Sequence, residues 1–500
     1  MRVLLVSTYE LGHQPLHLAA PAAALAATGH EVRTLDTSID PWAREPLDWA
    51  EAVAFSVPMH TAMRLALRAA AAVRTARPGL PICLYGLYAG VSRDLTLGAD
   101  GLADHAIAGE YEAQLVAWAD HLAGWGPPAH APARAGHDRR ADRPAGDDPL
   151  GSGNPGAANG GGGPPEAGRG IDAVVDLGRH RPAAPPARYG LPPLERYAHL
   201  ALGPEERAVG YVEASRGCLH RCRHCPVPVV YDGRIRIVPE DLVLADVEAL
   251  ERSGARHITF GDPDFLNGPQ HSLRVVTAMH ERFPELTFDC TVKVEHILRH
   301  RNLWPDLATA GCLFVVSAFE TVNDDTLAVL DKGHTTADAA AAVALLRRHG
   351  IEIRPSFLPF TPWTTLDDVA DLVDFVAALD LIANVDPIQY TIRLLVPQGS
   401  LLEPVLAADG RLGPYDSERL TWAWASGGPA VDALQTRLAA IVEGAQTAAE
   451  PIGRIYGRVR AAVHAAAGRH PSGDLLDLGS AESSCSTGEG RPRLTEPWFC

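Results

Sequence analysis

Residues 126–170 contain the run PPAHAPARAGHDRRADRPAGDDPLGSGNPGAANGGGGPPEAGRG, rich in Pro, Gly and Ala and almost free of large apolar side chains. Such a tract cannot bury enough surface to offset the entropy lost on ordering. It predicts a disordered linker between separately folded parts. Before it, residues 1–125 alternate short apolar runs with Ala-rich helical runs. Strands are expected at Val3–Val6, Val32–Leu35, Ala52–Ser56, Ile82–Tyr85 and His105–Ile107, with helices near 16–28, 61–77 and 111–123. That alternation predicts an α/β doubly wound parallel sheet. Ligands of such sheets bind beyond the carboxyl ends of the strands, here the loops Ser7–His13, Ser56–Thr61 and Gly86–Val91.

After the linker, residues 171–209 read as a connector. Residues 210–400 alternate again, with strands expected at Tyr211–Ser215, His257–Phe260, Leu286–Cys290, Leu313–Ser317, Ile351–Leu358 and Ile388–Leu394. Six strand–helix units predict a partial (β/α)6 barrel of TIM type, with its chemistry at the C-terminal ends of the strands. Residues 401–475 read as a helical C-terminal region and 476–500 as a flexible tail.

The formal net charge is −17. Binding to a phosphate backbone needs clustered Lys and Arg, so nucleic acid is not the expected partner. The opening MRVLLVST is followed at once by Tyr9, Glu10 and His13. It reads as a first strand rather than an export signal, and no run of about twenty apolar residues predicts a membrane span. A cytoplasmic, reducing compartment follows. There, the eight cysteines are expected as metal ligands, reactive thiols or buried residues rather than disulfides.

Three of them cluster in YVEASRGCLHRCRHCPVPVVYDG. A short strand turns at Gly217 and delivers Cys218, Cys222 and Cys225 in the spacing C-x3-C-x2-C. Three thiolates on one loop can hold three irons of a cubane cluster and leave the fourth open to a small molecule. Arg216, Arg221 and His220 favour thiolates there. A structural zinc site is the alternative; it would need a fourth ligand such as His220 or His224, and the paired C-x2-C spacing of zinc sites is missing.

A C-x3-C-x2-C loop at the end of a first barrel strand resembles the radical S-adenosylmethionine (SAM) enzymes, over residues 210–395. The resemblance implies a [4Fe–4S] cluster on Cys218, Cys222 and Cys225, and reductive cleavage of SAM to a 5′-deoxyadenosyl radical. It also implies an electron donor such as flavodoxin or ferredoxin. His224 stands where the family places an aromatic ring near the adenine. ITFGDPDF resembles the family's second-strand motif, so Gly261, Asp262 and Asp264 are expected near the amino group of SAM. SAFETVNDDTLAVLDKG resembles the fourth-strand end, with Glu320 on the cofactor's polar groups, and Lys293 is expected at its carboxylate. Turn-forming and solvated roles are the plainer alternatives for these residues.

The first 125 residues resemble the Rossmann-like cobalamin domain that precedes the barrel in part of this superfamily. Gly86, Gly90, Gly109, Glu110 and Glu112 carry the likeness. The loop STYELGHQP lacks the Asp-x-His-x-x-Gly motif that ligates cobalt, and His13 lacks its spacing. The ending RPRLTEPWFC resembles the radical SAM proteins with a Cys-Sec-Ala-Glu-Pro or Cys-Cys-Ala-Glu-Pro tail. This implies that Cys500 is half of a redox pair interrupted at a selenocysteine codon; an ordinary frayed terminus is the plainer alternative, and Cys485 either pairs with Cys500 or is idle. Cys83, Cys290 and Cys312 lie on expected strands and are expected to be buried. The combined expectation is radical modification of a small molecule or peptide, by cobalamin-dependent methylation or rearrangement. A non-catalytic iron–sulfur sensor and a methylthiotransferase acting on transfer RNA are the alternatives.

Overall fold

A computed structural model describes residues 1–91, 96–97, 101–124, 171–172, 184–469 and 491–496. The linker expected at 126–170, Cys485 and Cys500 lie outside them. Among the described residues no helix is long and apolar enough to cross a membrane.

The N-terminal domain is a six-stranded parallel sheet: β1 (Arg2–Ser7), β2 (Glu31–Asp36), β3 (Ala52–Ser56), β4 (Ile82–Gly86), β5 (His105–Ala108) and β6 (Ile171–Asp172). Their order is β2-β1-β3-β4-β5-β6. The inner strands β1, β3 and β4 are buried and mostly apolar because helices cover both faces, whereas the edge strand β2 is polar and partly exposed. Leu4, Val6, Val53 and Phe55 pack on one side, and Val3, Leu5, Ala52 and Ala54 on the other. The order switches at β1, so the loops after β1 and β3 open a crevice at the carboxyl edge. Residues 171–172, expected in the connector, add the last strand of this sheet.

The second sheet contains β7 (His199–Leu202), β8 (Glu205–Val212), β11 (His257–Phe260), β12 (Thr287–Thr291), β13 (Cys312–Glu320), β14 (Glu352–Phe357) and β17 (Arg493–Leu494). Strands β8 and β11–β14 are parallel and form the half-barrel. β7 and β17 add antiparallel at its edge. The short pair β9 (Ser215–Gly217) and β10 (Ile235–Ile237) brackets the cysteine loop.

Several local expectations are corrected. The first barrel strand ends at Val212 rather than Ser215, because Asp262 captures the backbone of Ala214. The strand expected at Ile388–Leu394 is a 3-10 turn, Pro387–Tyr390, followed by one parallel bridge from Arg393 to Phe360. Pro387 has no N–H to offer a ladder. Of the region 401–475, the described residues 401–469 hold three helices but also a hairpin, β15 (Leu412–Asp416) with β16 (Thr421–Trp424). The TWAW of β16 has a strand-like composition too short to register against the flanking helices. Residues 491–496, read as flexible tail, return to the barrel as β17.

Contacts from two distant segments help to fix the domains together. The Arg188 guanidinium donates to both Asp246 oxygens (2.6 and 2.8 Å), the Tyr211 carbonyl and the Gln14 side chain. The tip of the C-terminal hairpin inserts Leu420, fully buried, into the N-terminal core, while His60 Nε2 meets the Arg419 carbonyl at 2.7 Å. Leu420→Ala is expected to cost about 2–4 kcal/mol from the cavity alone, measured as a lower urea midpoint.

Candidate active site

The cysteine loop is held from below. Asp262, at the end of β11, accepts from the Ala214 N–H (2.9 Å) and the Ser215 hydroxyl (2.6 Å). Burial pushes its carboxyl up to about 7 against those two donors. A carboxyl raised in the folded state binds its proton more tightly there. Its contribution to stability is therefore full below about pH 4 and declines as pH climbs to about 7. Asp262→Asn is expected to flatten that part of the stability–pH curve, checked by urea unfolding across this range. Gly217 has φ +77°, and a Cβ on it would lie 2.4 Å from the Arg234 carbonyl oxygen, so only glycine fits.

Beyond Gly217 the loop is pinned by hydrogen bonds from Leu219 N to Asn267 Oδ1 (3.3 Å), from Arg223 N to the Leu330 carbonyl (2.9 Å) and from Cys225 N to the Cys222 carbonyl (3.1 Å). Cys218, Cys222 and Cys225 are free thiols close enough to influence one another's ionisation. Burial raises the Cys218 thiol and pushes Cys225 up to about 12. The protein alone keeps these groups protonated. A bound metal supplies the charge that makes them thiolates, and the buried Lys332 ammonium adds more on the side of Cys222 and Cys225. Three soft donors on one rigid loop fit a cubane cluster with one corner open. Cys83 is buried in the first sheet, and Cys290 and Cys312 in the barrel wall.

Charged groups ring the loop. Glu320 closes β13 with φ +63°, where the pairing with β14 slips by a residue. It accepts from Lys332 Nζ at 2.9 Å and faces His224 Nε2 at 3.0 Å. Burial alone would raise its carboxyl, yet Lys332 and His224 hold it well below the usual range. Lys293 Nζ donates to His220 Nδ1 (3.1 Å) and Glu295 (3.2 Å). His220 Nε2 lies 3.1 Å from His296 Nε2, and His296 Nδ1 lies 3.0 Å from Asp264. His220, Asp264 and His296 could hold a metal ion, but the Lys293 ammonium beside His220 opposes a cation there, and His296 Nδ1 has no hydrogen-bond partner among the described residues. Asp264 also caps the following turn through Leu266 N (3.0 Å).

The expected residues Asp264, Lys293, Glu320 and His224 therefore surround one mouth, while Gly261 and Asp262 support its floor. Lys332 and His334 were missed. They flank Gly333 in DKGH, whose Asp and Gly both have positive φ and read as a turn. His334 is buried with both ring nitrogens unpartnered, and burial, then Lys332, pushes it down to about 4.

The carboxyl edge of the N-terminal sheet faces this loop. Gly86 has φ +115°, and a Cβ there would meet the Val57 carbonyl at 3.2 Å. Gly109 also has positive φ, whereas Gly90 leaves ordinary room for a side chain. A cavity of about 160 Å³ lies between Gly86, Gly109 and Tyr111 on one side and Tyr211, Arg216 and Gly261 on the other. A second, of about 360 Å³, runs from Leu87 and Gly90 to His224, Cys225 and the loop Pro397–Ser400. The carboxyl edge of the sheet thus opens onto the barrel through two cavities, the first bounded by positive-φ glycines and the second reaching Cys225. Glu110 points elsewhere: it accepts from the Tyr231 hydroxyl (2.9 Å) and pairs with Arg236 and Arg216 across the domain boundary. Glu112 also pairs with Arg216, at 2.7 Å. His13 is buried against Tyr211, ring centroids 4.8 Å apart.

Comparison with known proteins agrees with this division. Residues 2–119 match the B12 binding domain model and residues 212–376 the radical SAM superfamily model. The chain is 26% identical over 213 residues to a Methanocaldococcus jannaschii protein named for methylthiotransferase activity, covering 39% of this chain and 44% of that protein. It is 24% identical over 182 residues to the ribosomal protein uS12 methylthiotransferase RimO of Bdellovibrio bacteriovorus, covering 33% and 39%. The chain thus spans less than half the length of these curated relatives. Among solved structures, the radical SAM methyltransferase TsrM of Kitasatospora setae, with cobalamin and a [4Fe–4S] cluster bound, matches at TM-score 0.59. That match has 18% identity over 83% of this chain and 76% of TsrM. The cobalamin-dependent SAM radical enzyme OxsB matches at 0.63, with 13% identity over 89% of this chain and 67% of OxsB. The likeness in fold to both covers most of the chain. The chain therefore carries a B12-binding domain and, behind it in the same polypeptide, a radical SAM domain.

Proposed function

We propose that the protein is a cobalamin-dependent radical SAM enzyme that modifies a small molecule or peptide, with methyl transfer the favoured reaction. One observation carries this reading: the carboxyl edge of the N-terminal sheet and the barrel mouth line two cavities between the domains, one cornered by Gly86 and Gly109 and the other reaching His224 and Cys225. When bound, a [4Fe–4S] cluster supplies the electron that splits SAM, and cobalamin supplies a carrier for a methyl group. Cys218, Cys222 and Cys225 would hold the cluster. Gly86 and Gly109 would let the backbone approach the corrin. Lys293 would meet the carboxylate of SAM, Asp264 its ammonium, and Glu320 and His224 its nucleoside. Domain closure through Arg188 and Arg216 would keep water from the radical.

The sensor alternative gives no role to the B12-binding domain. The transfer RNA alternative is opposed by the net charge of −17. A cytoplasmic location and a flavodoxin or ferredoxin donor belong to the same proposal, as does membership of the Cys-Sec or Cys-Cys-Ala-Glu-Pro subgroup with Cys500 as a redox thiol. An in-frame TGA followed by Ala-Glu-Pro codons after codon 500 is the expected gene sequence, and its absence would remove the tail from the proposal. The main test is anaerobic reconstitution with iron, sulfide and cobalamin. 5′-Deoxyadenosine and S-adenosylhomocysteine are the expected products; a protein that forms neither is not this enzyme.

A further inference from the structure

The surface over the cysteine loop is unusually apolar. Eight large apolar side chains are exposed among the described residues, and four of them surround this loop: Leu219 (48% exposed), Val229 (45%), Ile237 (39%) and Leu401 (37%). The segments carrying them join. Gly233 lies against Arg221 and the Leu219 carbonyl, and Val229 lies against Gly399. The Ser400 hydroxyl donates to the Arg223 carbonyl at 3.4 Å. The charge here also reverses. On a chain of net charge −17, this face carries Arg221, Arg223 and Arg234 against two carboxylates: Asp232, which pairs with Arg221 at 2.7 Å, and Glu403, which accepts from the Ser400 N–H at 3.2 Å. Leu219 is bonded directly to Cys218, and Cys218 is itself part-exposed.

An apolar centre with a charged rim is the make-up of a protein–protein interface, and patches of this kind mark interaction sites. Electron-transfer encounters use small, weak interfaces whose rim charges set the rate of encounter. We propose that this face docks a small acidic protein carrying a one-electron flavin or iron–sulfur centre. The inference rests on the function proposed above and adds the place where its electron enters. One electron leaves the donor and reduces the cluster from the 2+ to the 1+ state; no bond forms or breaks in that step. The acidic remainder of the molecule repels such a donor, so the basic rim also selects the docking side.

The test uses the reconstituted holoenzyme and two variants outside the loop, Ile237→Glu and Arg234→Glu. Bleaching of the cluster absorbance is followed anaerobically by stopped flow, with reduced flavodoxin as one reductant and dithionite as the other. Each variant is expected to slow reduction by flavodoxin about tenfold or more and to leave reduction by dithionite unchanged. The wild-type flavodoxin rate should fall with added salt, and Arg234→Glu should weaken that dependence. Equal flavodoxin rates in all three proteins would overturn the proposal, as would a parallel loss with dithionite. If the face serves a peptide substrate instead, flavodoxin rates stay the same while product formation under dithionite drops, which also overturns it. A wild-type cluster that flavodoxin reduces through this face without yielding 5′-deoxyadenosine would refute the enzymatic reading and leave the docking surface standing.

Discussion

Cys222→Ala is expected to yield a folded protein that retains little iron and cleaves SAM at least about 1,000-fold more slowly, equivalent to ~4 kcal/mol of barrier. Cys222 is the middle one of the three proposed ligands and the most buried, 8% exposed. Two remaining thiols cannot hold a cubane whose fourth iron already lacks a protein ligand. The loop itself should persist, because its anchors are independent of the thiol: Asp262 on Ala214 and Ser215, Asn267 on Leu219, and Leu330 on Arg223. Far-UV circular dichroism is therefore expected to be unchanged. Cys290→Ala is the matched control. Cys290 is fully buried in the barrel wall, so its loss should cost stability through a small cavity and leave iron content intact. Iron and sulfide analysis with the electron paramagnetic resonance of the reduced protein separates the two variants. Full iron content in Cys222→Ala would remove the cluster assignment.

The same anchors show what was readable from sequence. The cysteine spacing and the strand–helix alternation are local patterns, and both were visible. The partners that hold the loop come from distant positions: Asp262 and Asn267 lie in the connection after β11, and Leu330 ends the short helix Asp324–Val329. Asp262 was singled out as a cofactor residue because a carboxylate after a strand can reach an ammonium. The fold instead turns both its oxygens onto the backbone and hydroxyl before the cysteines, and no spacing rule carries that information. Glu110 is similar. Its neighbour Gly109 marks the turn, but its ion pairs with Arg216 and Arg236 exist only once the two domains meet. Lys332 and His334 were hidden for the opposite reason: a turn glycine between them made the segment look like surface. The hairpin at 412–424 was missed because strands of five and four residues give too few alternations to stand out from helical neighbours.

Lys332→Met is expected to destabilise the protein by about 3–5 kcal/mol at neutral pH, the usual effect of removing one partner from a buried ion pair. The side chains of Lys332 and Glu320 are only 4% and 6% exposed, with Nζ and Oε1 2.9 Å apart. A carboxylate left in that place keeps His224 at 3.0 Å but loses its principal counter-charge. Methionine fills the volume of the lysine stem, so a cavity contributes little. The pH dependence follows from the direction of each shift. Glu320 is held below its ordinary value, so its share of stability is present above about pH 4 and is lost as pH falls through its lower folded value. Lys332 is held above its ordinary value by Glu320, although burial would lower it. Its share is present below about pH 10 and is lost as pH rises through the higher folded value. In Lys332→Met, burial raises the Glu320 carboxyl, so acid should protonate it and narrow the gap to wild type. Glu320→Gln added to Lys332→Met removes the stranded charge and is expected to restore a large part of the loss, whereas Glu320→Gln alone strands the ammonium and destabilises. Urea unfolding of the four proteins at neutral and mildly acidic pH gives the coupling energy of the pair. Simple additivity of the two single changes would mean that the pair is not what holds the end of β13 to the turn at Lys332.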